Sequence, residues 1–246
     1  WTSVEYGDPA GASNSTFAIV FDEASGDIHL VDMASDNAAN SRVTIGLQNS
    51  PTCAAAYGDA SQALNGNSPA YGDNDVYTFS AETLDGTYTV GGANPDFLTL
   101  GNAAAALGCG IGGPVQLDLR DGTFAEQLRL PSIPGASASD SVLIQSESGD
   151  SSAVLLDWPP SQGSNYVLYL DGTDHLTLRG LTLQRSGTGS KADSRLLWLD
   201  NDTDSCRITR CRFVGSDTAS HENRELIYLA NDDAIGLEIT ENALLY

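Results

Sequence analysis

Three tripeptides set the rhythm of the chain. Leu168-Tyr169-Leu170, Leu197-Trp198-Leu199 and Ile227-Tyr228-Leu229 recur at offsets of 29 and 30 residues. Each is followed by a polar turn and a second run of alternating apolar positions. Leu176, Leu178, Leu181 and Leu183 align with Cys206, Ile208, Cys211 and Phe213, and then with Leu237, Ile239, Asn242 and Leu244. Alternation with period two marks short strands with one buried face, and recurrence at about 30 residues marks a solenoid. Two shorter repeats precede these, around 115–133 and 141–158, where Val115, Leu117 and Leu119 and then Leu128 and Leu130 alternate with polar residues. Five such rungs, at about 4.8 Å per pair of strands, would stand about 24 Å tall. A leucine-rich-repeat solenoid is rejected, because each repeat holds several short strands and no helix.

Upstream of the repeats the periodicity changes. Residues 95–107 are predicted as one short helix, with Pro95 and Asp96 in its first turn. Leu98, Ala103, Ala104 and Leu107 share a face, and Gly108 ends it. A coil stack has an open apolar end, and this helix is placed to cover it. Residues 1–79 read as strands. Phe17, Ile19 and Phe21 run to a Ser25-Gly26-Asp27 turn and return through Ile28 and Leu30; Val43, Ile45 and Leu47 make a further strand, and Val76, Tyr77 and Phe79 the last. Residues 50–75 read as a long loop and 80–87 as a linker. Polar insertions at 186–194 and 214–224 read as loops leaving one corner of successive coils. The fold class expected is therefore all-β: a right-handed parallel β-helix with a capping helix over 88–246, preceded by a small, incomplete β-sandwich over 1–79.

The segments YTVGG, PDF, GPV, GTFAEQ, LPSIPGAS and LDGTDHLTLRGLTL resemble the start of the parallel β-helix region in large secreted or surface-attached bacterial proteins. FAIVFDEASGDIHLVD with VTIGLQNS resembles half of a β-sandwich module found in bacterial surface proteins. The resemblance implies fold more than activity, since such helices serve adhesins and polysaccharide-acting enzymes alike.

Charge narrows the partners. With 11 basic and 33 acidic residues the net charge is −22, and Lys191 is the single lysine. Such a surface repels nucleic acid and anionic membranes and draws cations. No stretch is long and apolar enough to span a bilayer, and no signal peptide is expected within the chain. The chain begins at Trp1 and ends in mid-pattern at Tyr246, which reads as a piece of a larger processed protein.

Four groups of residues are candidates for chemistry. By strand parity Tyr169, Trp198 and Tyr228 point outward if their leucine neighbours point inward, with Leu143 as their counterpart one coil earlier. Such a column suits a protein partner or a sugar chain. Asp200, Asp202 and Asp204 have the alternating carboxylates that Ca²⁺ takes; a solvated turn explains the same pattern. Arg207 and Arg210 fall beside Glu238 and Glu241 in register, as cross-coil ion pairs. Cys206 and Cys211 face inward as packing residues or as a disulfide across a corner, while Cys53 and Cys109 are placed to link the first domain to the cap.

For catalysis, the three histidines show no metal spacing, no serine sits in a nucleophile elbow, and Asp157, Asp171 and Asp200 each stand singly at turns. The expectation drawn from the sequence is a non-catalytic, extracellular, adhesin-like or structural solenoid, filament-forming or bound to a protein or glycan at the cell surface. The alternatives are the front part of a polysaccharide lyase or hydrolase whose active site lies beyond Tyr246, or a carbohydrate-binding module.

Overall fold

The computed structural model describes residues 83–159, 164–186, 195–215, 225–230 and 234–245 in full, and six earlier strands as backbone. The chain divides into two compact units, Trp1–Glu82 and Thr83–Tyr246. In the first, β1 (Thr2–Tyr6), β2 (Ser13–Phe21), β3 (Ile28–Ser35) and β6 (Val76–Phe79) form one antiparallel sheet in the order β1-β2-β3-β6. β2 and β3 make the expected hairpin, with Ile19 opposite Leu30. β4 (Ile45–Ser50) pairs with β5 (Cys53–Gly58), so the stretch expected as a loop over 50–75 contains a strand.

The second unit is a stack of parallel coils. It opens with β7 (Leu84–Val90), which pairs with β8 (Ile111–Leu119), so residues 84–87 of the expected linker are strand. Between them lies α1 (Leu100–Leu107), the one helix among the described residues. Then come β9 (Gly122–Phe124), β10 (Leu128–Pro131), β11 (Val142–Ser146), β12 (Val154–Asp157), β13 (Leu168–Asp171), β14 (Leu176–Arg179) and β15 (Thr182–Gln184). The last are β16 (Leu197–Asp200), β17 (Arg207–Thr209), β18 (Arg212–Val214), β19 (Ile227–Leu229), β20 (Glu238–Thr240) and β21 (Ala243–Leu245). Every third strand pairs with the next of its kind. This gives a six-stranded sheet β7-β8-β11-β14-β17-β20, a five-stranded sheet β9-β12-β15-β18-β21 and a four-stranded sheet β10-β13-β16-β19. The fold is an all-β parallel β-helix of about five coils.

The core follows from that register. Leu117, Ile144, Leu178 and Ile208 stack from coil to coil on one sheet, Leu130, Leu170 and Leu199 on another, and all are buried. Like residues meet in line because one register shift would turn every side chain to the other face.

The helix is shorter than expected. Leu98 is 75% exposed, and the buried residues are Leu100, Ala103 and Leu107. Residues 95–99 are held out of the helix from β7. The Asp96 carboxylate accepts the Thr89 N–H at 2.7 Å and the Thr89 hydroxyl at 2.8 Å. Phe97 N–H donates to the Thr89 carbonyl at 3.0 Å. The helix begins instead at N-cap Thr99, whose hydroxyl accepts the Asn102 N–H at 3.0 Å. Glu126, from the GTFAEQ segment, accepts the N–H groups of Leu100 and Gly101 at 3.1 and 2.8 Å, so the first coil satisfies the amides that a helix start leaves open.

Candidate functional site

The outer face of the four-stranded sheet carries the expected aromatic column. Register places Arg129, Tyr169, Trp198 and Tyr228 side by side on β10, β13, β16 and β19. The inward neighbours Leu168, Leu170, Leu197 and Leu199 are buried, and the three rings are half-buried. Leu143 is not part of this column. It lies on β11 of the six-stranded sheet opposite Gln116 and Thr177, and Arg129 takes the place assigned to it. The error came from aligning strands by apolar pattern where two sheets of one coil share the same alternation.

The rings form a continuous platform. Tyr169 and Trp198 lie 5.1 Å apart between centroids, Trp198 and Tyr228 lie 5.6 Å apart edge to face, and Tyr166 adds itself 5.3 Å from Tyr169. Such separations are those of favourable aromatic pairs. Arginines flank the rings. Arg129 sits 5.5 Å from the Tyr169 centroid, while Arg195 lies 3.6 Å from that of Tyr228 and 5.1 Å from that of Trp198. Arg195 also pairs with Glu225 at 2.8 Å.

At one end of these strands two carboxylates meet. Asp171 and Asp200 are register partners on adjacent coils. The Tyr169 hydroxyl lies 3.2 Å from Asp171 Oδ1 and 3.3 Å from Asp200 Oδ2. A phenol donates one proton, so only one carboxylate accepts it at a time. Arg129 Nε donates to Asp171 Oδ2 at 2.7 Å, and Asn201 Nδ2 donates to Asp171 Oδ1. Burial works to raise the Asp171 carboxyl, but the hydrogen bonds from Asn201 and Arg129 outweigh it and hold it below the usual carboxylate range. Burial first, then the charges of Asp171 and Asp200, push the Tyr169 phenol up to about 12. The site therefore offers an ionised carboxylate, a second carboxyl, and a phenol that keeps its proton at neutral pH.

The turn after each Asp is built from inside. Thr173 and Thr203 are fully buried; Thr173 Oγ1 donates to the Leu130 carbonyl, and Thr203 Oγ1 shares its one proton between the carbonyls of Asp200 at 2.8 Å and Leu170 at 3.2 Å. Gly172 has φ +66°, and a Cβ there would stand 3.0 Å from the Asn201 carbonyl oxygen. Asp171 and Asp200 thus do not stand singly, as their sequence context suggests. The offset of 29 that aligns Tyr169 with Trp198 aligns them too, and that was the signal for the pair.

The other candidates have simpler roles. Among the described residues no three His, Cys, Asp or Glu side chains gather as a metal site. Asp200 accepts the Asn201 N–H at 3.0 Å, and Asp204 accepts the Ile235 N–H at 2.7 Å, so these two brace turns; Asp202 sits between them with φ +57°. Arg207 pairs with Glu238 at 3.3 Å and Arg210 with Glu241 at 2.8 Å, both on the surface, as the register requires. Cys206 and Cys211 are free and buried, which excludes a bond between them, while Cys109 is disulfide-bonded. The Cys53 side chain, Lys191, His221, Asp232 and residues 187–194 and 216–224 lie outside the described residues. No helix among the described residues is long and apolar enough to cross a membrane.

Fold and site together define a parallel β-helix with an acidic pair beside an aromatic platform. Solved structures similar to the chain include two of one enzyme. The pectin methylesterase from Aspergillus niger in penultimately deglycosylated form shares 16% identity over 67% of this chain and 59% of that chain, with a TM-score of 0.43. Its deglycosylated form gives 16% identity over 65% and 51%, with a TM-score of 0.41. The chain thus spans between half and three fifths of their length. No family model matches, and no curated protein does. These neighbours are enzymes, which corrects the expectation of a non-catalytic chain. The reading of lone aspartates on which it rested fails on the Asp171–Asp200 pair.

Proposed function

We propose that the coil stack belongs to an extracellular carbohydrate-active hydrolase, with its site on the outer face of the four-stranded sheet. The observation that carries this reading is the Asp171–Asp200 pair bridged by one phenol beside the ring column. Hydrolysis of a glycosidic or ester bond needs one carboxylate that stays ionised, to take a proton from water or attack carbon. It needs a second group to exchange a proton with the leaving oxygen. Asp171, held ionised by Arg129 and Asn201, fills the first role, and Asp200 the second. Tyr169 holds the two in a fixed relation. The rings of Tyr169, Trp198 and Tyr228 supply apolar faces on which sugar rings stack, with Arg129 and Arg195 at their margins. The disulfide at Cys109 supports an oxidising, extracellular setting.

The test is turnover on a panel of neutral, acidic and esterified polysaccharides, following reducing ends and acid release. Asp171→Asn and Asp200→Asn should each lower kcat by about a hundredfold or more, and Trp198→Ala should raise KM. Turnover that survives both asparagine variants, or a panel with no turnover at all, would overturn the reading.

A further inference from the structure

The arginines of this acidic chain are mostly spoken for. Arg120, Arg129, Arg195, Arg207 and Arg210 each have a carboxylate within 4 Å. Arg179 has none among the described residues, although the net charge is −22. It is nevertheless held in place. Gln116 Nε2 donates to both oxygens of Asp118 at 2.9 and 3.0 Å, and Gln145 Nε2 donates to Asp118 Oδ1 at 2.7 Å. With its amide nitrogen so used, Gln145 must turn its carbonyl oxygen the other way, where Arg179 Nε donates to it at 2.8 Å. One edge of the guanidinium is thereby fixed by a neutral group that leaves its charge uncompensated.

This guanidinium lines a cavity of about 410 Å³ at the corner between the six-stranded and five-stranded sheets. Ser148, Glu147 and Arg210 also line it. Arg210 faces Glu241 and Glu147 faces Arg120, so neither closes on Arg179. Gly149 and Gly180 form part of the wall with φ of +74° and +64°, and a Cβ at Gly149 would meet nothing within 4 Å, so the space there is open. The corner is built from the six-stranded and five-stranded sheets, whereas the Asp171–Asp200 pair belongs to the four-stranded one. It therefore stands apart from the proposed hydrolytic site.

We propose that this cavity is an oxyanion site, in which Arg179 binds the carboxylate or sulfate group of a solute of about monosaccharide size. A guanidinium braced along one edge keeps its remaining N–H donors aligned, and planar paired donors suit a carboxylate or sulfate. A space of this size exceeds that of a bare ion and lies in the range of small-ligand pockets. Arg210 is paired with Glu241 and the Ser148 hydroxyl donates to Asp121 Oδ1 at 2.6 Å, so Arg179 carries the recognition, while Glu147 at the rim disfavours a second negative group on the ligand.

The experiment is an NMR titration of the arginine Nε–H resonances of the full chain at constant ionic strength. The probes are sodium sulfate, sodium acetate, a hexuronate and a hexose 6-sulfate, with glucose as the uncharged control. Expected is a saturable shift of the Arg179 resonance, with the charged sugars binding about tenfold tighter than the bare ions. Arg179→Gln should abolish binding, Gln145→Leu should weaken it, and Arg207→Gln and Asp200→Asn should leave it unchanged. The last variant keeps the outcome separate from that of the hydrolase reading. If bare ions bind as tightly as the charged sugars, the site is for free oxyanions and the monosaccharide-sized ligand is wrong. Shifts that rise linearly without saturation, or persist in Arg179→Gln, would reduce the effect to screening and overturn the proposal.

Discussion

Trp198→Ala tests the aromatic face at its centre. The ring lies within 5.1 Å of Tyr169, 5.6 Å of Tyr228 and 5.1 Å of the Arg195 guanidinium, measured to centroids. Truncation removes three ring pairs, the third being Tyr166 at 6.4 Å edge to face, worth about 0.5–1.5 kcal/mol each beyond their area and least for the most distant. It also removes one cation–π contact of about 0.5–1 kcal/mol. A fully buried Trp→Ala change costs about 3–5 kcal/mol, and this ring is half-buried, so both routes lead to about 2–3 kcal/mol. For a unit of this size that lowers Tm by about 4–12 °C. The assay is thermal unfolding followed by near-ultraviolet circular dichroism, paired with a binding isotherm on the polysaccharide that the intact protein turns over. Trp198→Phe keeps most of the packing, so it should recover most of the stability while binding stays weaker than with Trp. A Tm shift under about 1 °C would mean the contacts carry no energy. Loss of all folded signal at 25 °C would mean the ring is core and the register wrong.

Thr203→Val keeps the shape of a fully buried side chain but takes a hydroxyl away from the Leu170 and Asp200 carbonyls. It should cost about 1–3 kcal/mol in urea unfolding, and a neutral result would show that water replaces the bond. Asp171 has a depressed pKa in the folded state, so its contribution to stability is present above the unfolded value of about 3.9 and is lost as pH falls through the folded one. The stability gap between wild type and Asp171→Asn should therefore be widest near neutral pH and shrink below pH about 4; a gap that grows on acidification would reverse the assignment. Burial pushes the Cys206 thiol up to about 11 and raises Cys211 as well. Neither should react with a thiol reagent at neutral pH until the protein unfolds, and fast labelling of the native state would contradict their packing.

The coil stack was readable because its physics is repetitive. The alternation of Leu168, Leu170, Leu197 and Leu199 fixed which side chains turn inward, and the offsets of 29 and 30 fixed the register of β13, β16 and β19. The helix start was not readable from residue preference, because Asp96 is captured by Thr89, and Glu126 marks the real beginning from 26 residues away. The first coil was misassigned because β10 and β11 carry the same alternation, and only pairing shows that Arg129, not Leu143, meets Tyr169. The acidic pair was within reach, since LYLD and LWLD stand in plain alignment. Asp171 and Asp200 were read along the chain, where they are 29 residues apart, rather than across it, where one hydroxyl touches both.

Repetition also makes the acidic pair informative. A coil that copied its neighbours faithfully would place an acid at the end of every strand of the four-stranded sheet, one coil spacing of about 4.8 Å after another. The chain does not do this. The register partner of Asp171 on β10 is Pro131, and the residue after Leu229 on β19 is Ala230, which is buried. The acids are thus confined to two adjacent coils, with an uncharged position on either side, while the outward column beside them stays continuous through Arg129, Tyr169, Trp198 and Tyr228. A solubilising surface has no reason to place two carboxylates on one phenol and leave the flanking positions neutral, because like charges so close repel. A site that cleaves one bond of a long substrate needs both features. It needs a run of similar contacts along the axis to hold successive units, and a single interruption in that run where two carboxylates face one bond.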